Sequence, residues 1–320
     1  MDTLGSPGPC RMTLFSLIIA LLIEQLRPLP AARVVQTPLM MFARFLEDRF
    51  NDGEARHGAV AWWVAILAAC LVTALVYFAL LSLHPLLGLL FNVLVLYLTM
   101  GFRQVSHFFT DIQLALRMGE LARARQLISE WRGASHDQSS SSEVARLAIE
   151  EALQASHRNV FGVVVWFVLL PGPIGAVLYR MASFFDQAWG QRRGEQHFGD
   201  FGDFARKAFA ILDWVPVRLT AAAFSIVGDF EDGVHCWRTQ ANQWKNKASG
   251  ILLASGGGAL GVRLGMPIHE SGEVLERPEM GVGDDADAEF MQSTVGLVWR
   301  TLVLVFLVLA LLGVAGWVGN

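Results

Sequence analysis

Long apolar runs separated by arginine-bearing polar stretches set the pattern of this chain. Residues 60–83 carry no charge and open near Trp62 and Trp63, and residues 85–102 follow after a short break. A third run, 294–318, has Trp299 and Trp317 near its ends and Arg300 placed to snorkel. Crossing a hydrocarbon core takes roughly 20 apolar residues in a helix, because lipid offers no partner to backbone N–H and C=O groups. These three runs are therefore expected to span a membrane, the first two as a hairpin.

Three other runs are less regular. Residues 12–26 are short and carry Glu24, which predicts a span that is tilted, half-inserted or packed against other helices. The run also lacks a small-residue cleavage pattern, so it reads as a retained anchor. Residues 160–185 are broken by Pro171-Gly172-Pro173, which predicts a kinked or re-entrant pair of half-helices. Residues 208–227 hold Asp213, Pro216 and Arg218 inside an apolar stretch, where charge needs a partner or water.

The polar intervals are of two kinds. Residues 111–154 read as soluble helices, with Leu114, Leu121 and Leu127 at broadly helical spacing, a serine loop at 139–142, and a helix start at Ser142-Glu143. Residues 263–287 are rich in Gly and acid and read as an irregular loop. Arg27, Arg33, Arg44, Arg49 and Arg56 in one interval, and Arg103, Arg117, Arg123, Arg125, Arg132 and Arg146 in the next, place both on the cytoplasmic side. The expected fold is all-α: a polytopic helical membrane protein with broken or re-entrant helices and a cytoplasmic helical segment. Its expected divisions are N-terminal membrane helices with an arginine-rich loop (1–102), a cytoplasmic helical segment (103–159), a membrane core with broken helices (160–262), a polar loop (263–293) and a C-terminal transmembrane helix (294–320).

Composition strengthens the membrane reading, since 53% of residues are apolar and only 17% charged, against about 25% charged in soluble domains. The lipid bilayer is thus the expected partner, in a bacterial inner membrane crossed more than once. A net charge of −4 without a clustered basic surface sets nucleic acid aside. Cys10, Cys70 and Cys236 form no readable disulfide framework, and the eight histidines show no metal-ligand spacing, so no metal site is proposed.

Candidate chemistry centres on Asp213-Trp214-Val215-Pro216-Val217-Arg218. A carboxylate and a guanidinium flanking a proline either line a polar cavity for a charged ligand or form a buried pair that fixes helix packing. The glycine string ending in Gly261-Val262-Arg263 suggests an anion cradle, but it has no Gly-Lys-Ser/Thr ending and no preceding strand, so close packing of small residues is the better reading. Ser156-His157-Arg158-Asn159 before a membrane entry is either an anion site or a solvated positive flank, and the flank is the better reading.

Further strings carry a resemblance. Gly175-Ala176-Val177-Leu178-Tyr179-Arg180 leading to Asp186, then Asp213 to Arg218 with Leu219 and Thr220, and Gly258-Ala259-Leu260-Gly261-Val262-Arg263-Leu264-Gly265 resemble the CobD/CbiB membrane proteins of cobalamin biosynthesis. Met12-Thr13-Leu14-Phe15 with Glu24, and Leu212 to Leu219 running to Val227-Gly228, look closer to the inner-membrane protein AmpE. The resemblance implies ligand-pocket candidates at Tyr179, Arg180, Asp186, Asp213, Arg218 and Arg263, and a small-molecule ligand that is a corrinoid or cell-wall-derived.

The synthase branch of that superfamily joins an aminopropanol derivative to a corrin carboxylate, using ATP and a divalent metal. Its Glu-Asn-x-x-Asp-Gly pattern meets His157-Arg158-Asn159-Val160-Phe161-Gly162 here, where only the glycine survives. Its His-Pro-Ser-Pro-Asn-Ala-Gly pattern meets Trp244-Lys245-Asn246-Lys247-Ala248-Ser249-Gly250. Loss of the carboxylates removes Mg²⁺ ligands. The expected function is therefore a non-catalytic, AmpE-like membrane signalling or ligand-binding factor. The alternative is an ATP-dependent adenosylcobinamide-phosphate synthase-type amide ligase, and only there do ATP and Mg²⁺ enter as cofactors.

Overall fold

The computed structural model describes residues 9–26, 35–192 and 198–318. Arg27 and Arg33 of the first arginine-rich interval lie outside these. The chain divides into two compact units: one of Met1–Gly101, Arg158–Pro216 and Leu309–Asn320, the other of Phe102–His157 and Val217–Val308.

The first unit is helical. Helices α1 (Pro9–Leu26), α2 (Thr37–Phe50), α3 (Ala55–Leu83) and α4 (Pro85–Thr99) come first, and α8 (Gly162–Leu169), α9 (Ile174–Phe185) and α10 (Asp203–Leu212) follow later in the chain. Helix α3 has 29 residues, about 43 Å at 1.5 Å per residue, and is long and apolar enough to cross a membrane. Its Leu67, Leu71, Leu75 and Phe78 are at least half exposed, an apolar face suited to lipid. Pro85 in the first turn and His84, whose Nδ1 accepts the Leu86 N–H at 3.1 Å, start α4 at once.

Expectation and structure differ at α4. Residues 85–102 were expected to form a full span, yet α4 has 15 residues, about 22 Å, and ends where Met100 turns extended at ψ 151° before Gly101. The break at Pro171-Gly172-Pro173 falls where the prolines predict it, separating α8 from α9. Gly172 there has φ +62°, and a Cβ on it would strike the Tyr77 ring. Near the start of α3, Gly58 lets the carbonyl of Phe201 approach, and Asp200 N–H donates to the Gly53 carbonyl at 3.0 Å.

The second unit holds α5 (Phe102–Arg117), α6 (Leu121–Arg132), α7 (Ser141–Ser156), most of α11 (Trp214–Val227), α12 (Phe230–Gln240), α13 (Lys247–Leu260) and the start of α14 (Ala288–Val318). Helix α14, residues 288–315 of which are apolar enough to cross a membrane, is capped by Asp287, whose Oδ1 accepts the Glu289 and Phe290 N–H groups. The pair α10 and α11, broken at Asp213, passes the same test only if counted as one span. Helix α7 begins earlier than Ser142: Ser140 is its N-cap and accepts the Glu143 N–H, as a Ser-x-x-Glu sequence favours.

Residues 263–287, expected to be irregular, carry short strands. Strand β1 (Val262–Gly265) pairs antiparallel with β4 (Glu279–Met280) and parallel with β5 (Asp284–Asp285). Strands β2 (Ile268–Glu270) and β3 (Glu273–Leu275) form a hairpin closed by Ser271 and Gly272, both at positive φ as a two-residue turn requires. The glycine string lies in α13 and packs as small residues do: a Cβ on Gly258 would meet the backbone of Asp232 and Gly233, and one on Gly256 the side chain of Leu153.

Candidate functional site

Four of the six residues singled out from the sequence lie in the first unit, where α9 and the end of α10 bring polar groups into an apolar surround. Tyr179 is fully buried on α9, and its hydroxyl donates to Asp213 Oδ1 at 2.8 Å. Asp213 caps α10, its own N–H donating to the Phe209 carbonyl at 2.8 Å. The Phe209 ring tilts against Tyr179 with centroids 5.5 Å apart, and Trp166 Nε1 donates to the Leu212 carbonyl at 3.1 Å. Gly162 leaves room for this arrangement, since a Cβ there would fall on the Tyr179 ring.

Two π-helical turns flank the pair, at His157–Phe161 and Asp186–Gly190. Such widened turns are rare and recur at functional sites. From the first, Asn159 Oδ1 accepts Arg180 Nη1 at 2.6 Å. The second opens on Asp186, in the polar stretch beyond α9. Burial pushes its carboxyl up to about 6; Arg158 and Arg206 oppose that rise, and Asp213 adds to it. The stretch at 156–159 is thus no solvated flank, because Ser156 and His157 are buried, and His157 Nδ1 lies 2.9 Å from the Thr220 hydroxyl within the second unit.

Arg218 and Arg263 belong to the second unit. Arg218 is half-buried on α11, and Arg263 of the largely buried β1 pairs with Asp285 of the exposed β5 at 2.9 Å. Asp213 has in Tyr179 a partner that the string around it did not indicate.

A second polar assembly was missed. Glu143, Arg146 and Glu150 stand at i, i+3 and i+7 on one face of α7, and all are buried. Glu150 accepts both terminal nitrogens of Arg277 at 2.8 and 3.1 Å and the Gly265 N–H at 2.8 Å. Arg277 also donates to the Gly265 and Met266 carbonyls and lies over the Trp244 ring. Arg146 donates to the Pro267 carbonyl at 2.9 Å. Glu143 accepts Ser139 Oγ and the His269 N–H, with the His269 ring 3.1 Å away. Burial raises the Glu143 pKa, but the bonds from His269 and Ser139 outweigh it and leave the carboxyl below its usual range. The i, i+3, i+7 spacing of these charges was the one available signal.

Comparison with known proteins settles the family. A family profile described as CobD/Cbib protein matches residues 9–298. The chain belongs to the CobD/CbiB family. It is 35% identical over 287 residues to the cobalamin biosynthesis protein CobD of Stutzerimonas stutzeri, covering 88% of this chain and 91% of that one. It is also 35% identical to the CobD of Chromobacterium violaceum, over 69% and 70% of the two chains, and 24% identical to the CbiB of Salmonella typhimurium, over 87% and 90%. No solved structure matches. These relatives carry cobalamin-biosynthesis names and lend no support to the AmpE likeness.

CobD/CbiB membership also raises the metal that the synthase resemblance implies. Among the described residues no three His, Cys, Asp or Glu side chains converge as a metal site. Asp213 is engaged by Tyr179, Asp186 faces Arg158 and Arg206, and His157 and Phe161 supply no carboxylate. These donors do not fit Mg²⁺ held by carboxylate oxygens.

Proposed function

We propose that this chain acts in cobalamin biosynthesis, in the bacterial inner membrane, at the step that joins an aminopropanol derivative to a carboxylate of a corrinoid. The observation that carries this reading is the family match over residues 9–298, together with relatives of matching length named for that pathway. The first-unit cluster supplies chemistry of the right kind. Arg158 presents positive charge toward which a corrinoid carboxylate is drawn. Asp186, with a pKa near 6, is the base that takes the proton from the amine nitrogen as it attacks the corrinoid carboxyl, which ATP as co-substrate would first convert to an acyl phosphate, so that phosphate leaves as the amide forms. Asp213 holds the Tyr179 hydroxyl in place.

A multi-pass arrangement with residues 27–56 and 103–159 on the cytoplasmic side goes with this proposal. A non-catalytic membrane factor of the AmpE kind is the second reading, and the replacement of the family's acidic positions by His157, Arg158 and Phe161 favours it.

The deciding experiment expresses the full chain in a strain lacking its own synthase and supplies cobyric acid. Restored corrinoid-dependent growth that Asp186→Asn abolishes supports the amide-forming step. Absence of rescue by protein shown to reach the membrane supports the non-catalytic reading.

A further inference from the structure

Within the first unit, away from Tyr179 and Asp213, lies a cavity of about 570 Å³. That is the size of a small-molecule site. Its walls are Tyr77 and Leu81 of α3, Leu169 and the Pro171-Gly172 break after α8, and Leu312 of α14. Three polar side chains line it, Thr13, Tyr77 and Asn92; of these, Asn92 is 2% exposed and its Oδ1 has no hydrogen-bond partner among the described residues. A buried acceptor left without a donor is destabilising, so a donor brought by a ligand is favoured there.

The position of Asn92 narrows the occupant. It is the middle residue of α4, seven residues from Pro85 and seven from Thr99, about 10 Å along the axis from either end. The rim residues Phe78, Leu169 and Leu312 are 50%, 59% and 56% exposed, so the mouth opens on an apolar face and not on a polar one. A ligand reaching Asn92 must therefore enter from the hydrocarbon and carry a hydrogen-bond donor at that depth. A phospholipid headgroup stays at the interface, and an ammonium is too costly in lipid. A hydroxyl suits the site best, because it donates to Oδ1 and its own lone pairs can take the amide N–H₂ of the same side chain.

We propose that this cavity binds a bilayer-dissolved long-chain alcohol, with its hydroxyl on Asn92 and its chain along Leu81, Leu169 and Leu312. The proposal rests on the membrane placement of the first unit and not on amide chemistry, so the growth assay above and the test below can fail separately.

The test uses the full chain in lipid nanodiscs and a hexadecanol bearing a mid-chain diazirine, with its methyl ether as the matched probe that cannot donate. After irradiation, peptide mapping should find the alcohol on residues 77–92 and 168–172, displaced by unlabelled hexadecanol. The ether should label those residues about fivefold less, the ratio given by one net hydrogen bond of about 1 kcal/mol. Asn92→Leu should erase the difference between the probes, and Leu81→Trp, which fills the cavity, should remove labelling by both. Equal labelling by alcohol and ether in the unaltered protein overturns the proposal without any variant needing to fold. Labelling that survives Leu81→Trp, or that falls outside these residues, overturns it too.

Discussion

Tyr179 and Asp213, separated by 34 positions in the chain, meet through a 2.8 Å hydrogen bond between two buried side chains. The phenol donates and the carboxylate accepts. Removing the donor leaves a buried acceptor one partner short. Tyr179→Phe should therefore lower stability by about 1.5–3 kcal/mol, read as a fall in the thermal midpoint of detergent-solubilised protein. An unchanged midpoint would show that the bond contributes nothing.

Gly162 lies against the Tyr179 ring, and its role is steric. Gly162→Ala should destabilise by about 1–3 kcal/mol through overpacking against Tyr179. Combining it with Tyr179→Leu should recover part of that loss, giving a non-additive cycle. Strict additivity would mean that the two residues do not press on one another.

Asp186 titrates higher in the folded chain than in the unfolded one, about 6 against 3.8. The folded state then holds the proton more tightly, so this group's contribution falls as pH rises from 3.8 to 6 and stays unfavourable above that window. Asp186→Asn should stabilise the protein at pH 7.5 by as much as about 3 kcal/mol, with little effect at pH 3.5. Denaturation midpoints of variant and parent across pH give the answer, and parallel curves would refute the shift.

Glu143 behaves in the opposite sense. Its carboxyl is held below the usual range, so its stabilisation is present above the unfolded pKa and is lost as pH falls through the folded one. Amide exchange at residues 268–270 should quicken under acid in the parent chain. In Glu143→Gln that acid step should be missing.

Breaking the Glu150 and Arg277 pair should cost more than removing it. With both side chains under 10% exposed, Glu150→Gln strands a guanidinium and should cost about 3–5 kcal/mol, whereas Glu150→Leu with Arg277→Met should cost much less. Thermal midpoints of the three variants test this order, and a double variant as unstable as the single one would contradict it.

Length and freedom from charge made α3 and α14 legible, and the two prolines made the break after α8 legible. Each is a property of neighbouring residues. Tyr179 and Asp213 could be singled out one at a time, but Arg218, five residues along, drew attention away from a partner that only the packing of α9 on α10 supplies. Arg277 looked like any charge in a polar tract, because its partner lies 127 residues earlier. The strands at 262–285 escaped notice since two to four residues are too few to show an alternating pattern. Family membership was visible in short strings, and so was Asp186, while the burial of His157 was not, as the π-turn it opens leaves no periodic trace.

The hairpin tip at Gly272 projects into open space, and the neighbouring Glu273, Val274 and Leu275 are exposed. Six residues earlier, the backbone at Met266 and Pro267 is held by the guanidinium groups of Arg277 and Arg146. An epitope or fluorescent reporter spliced in at 272 should thus leave the chain foldable, whereas the same insert at 266 should not. That difference offers a way to mark this tract in living cells and learn on which side of the membrane it resides.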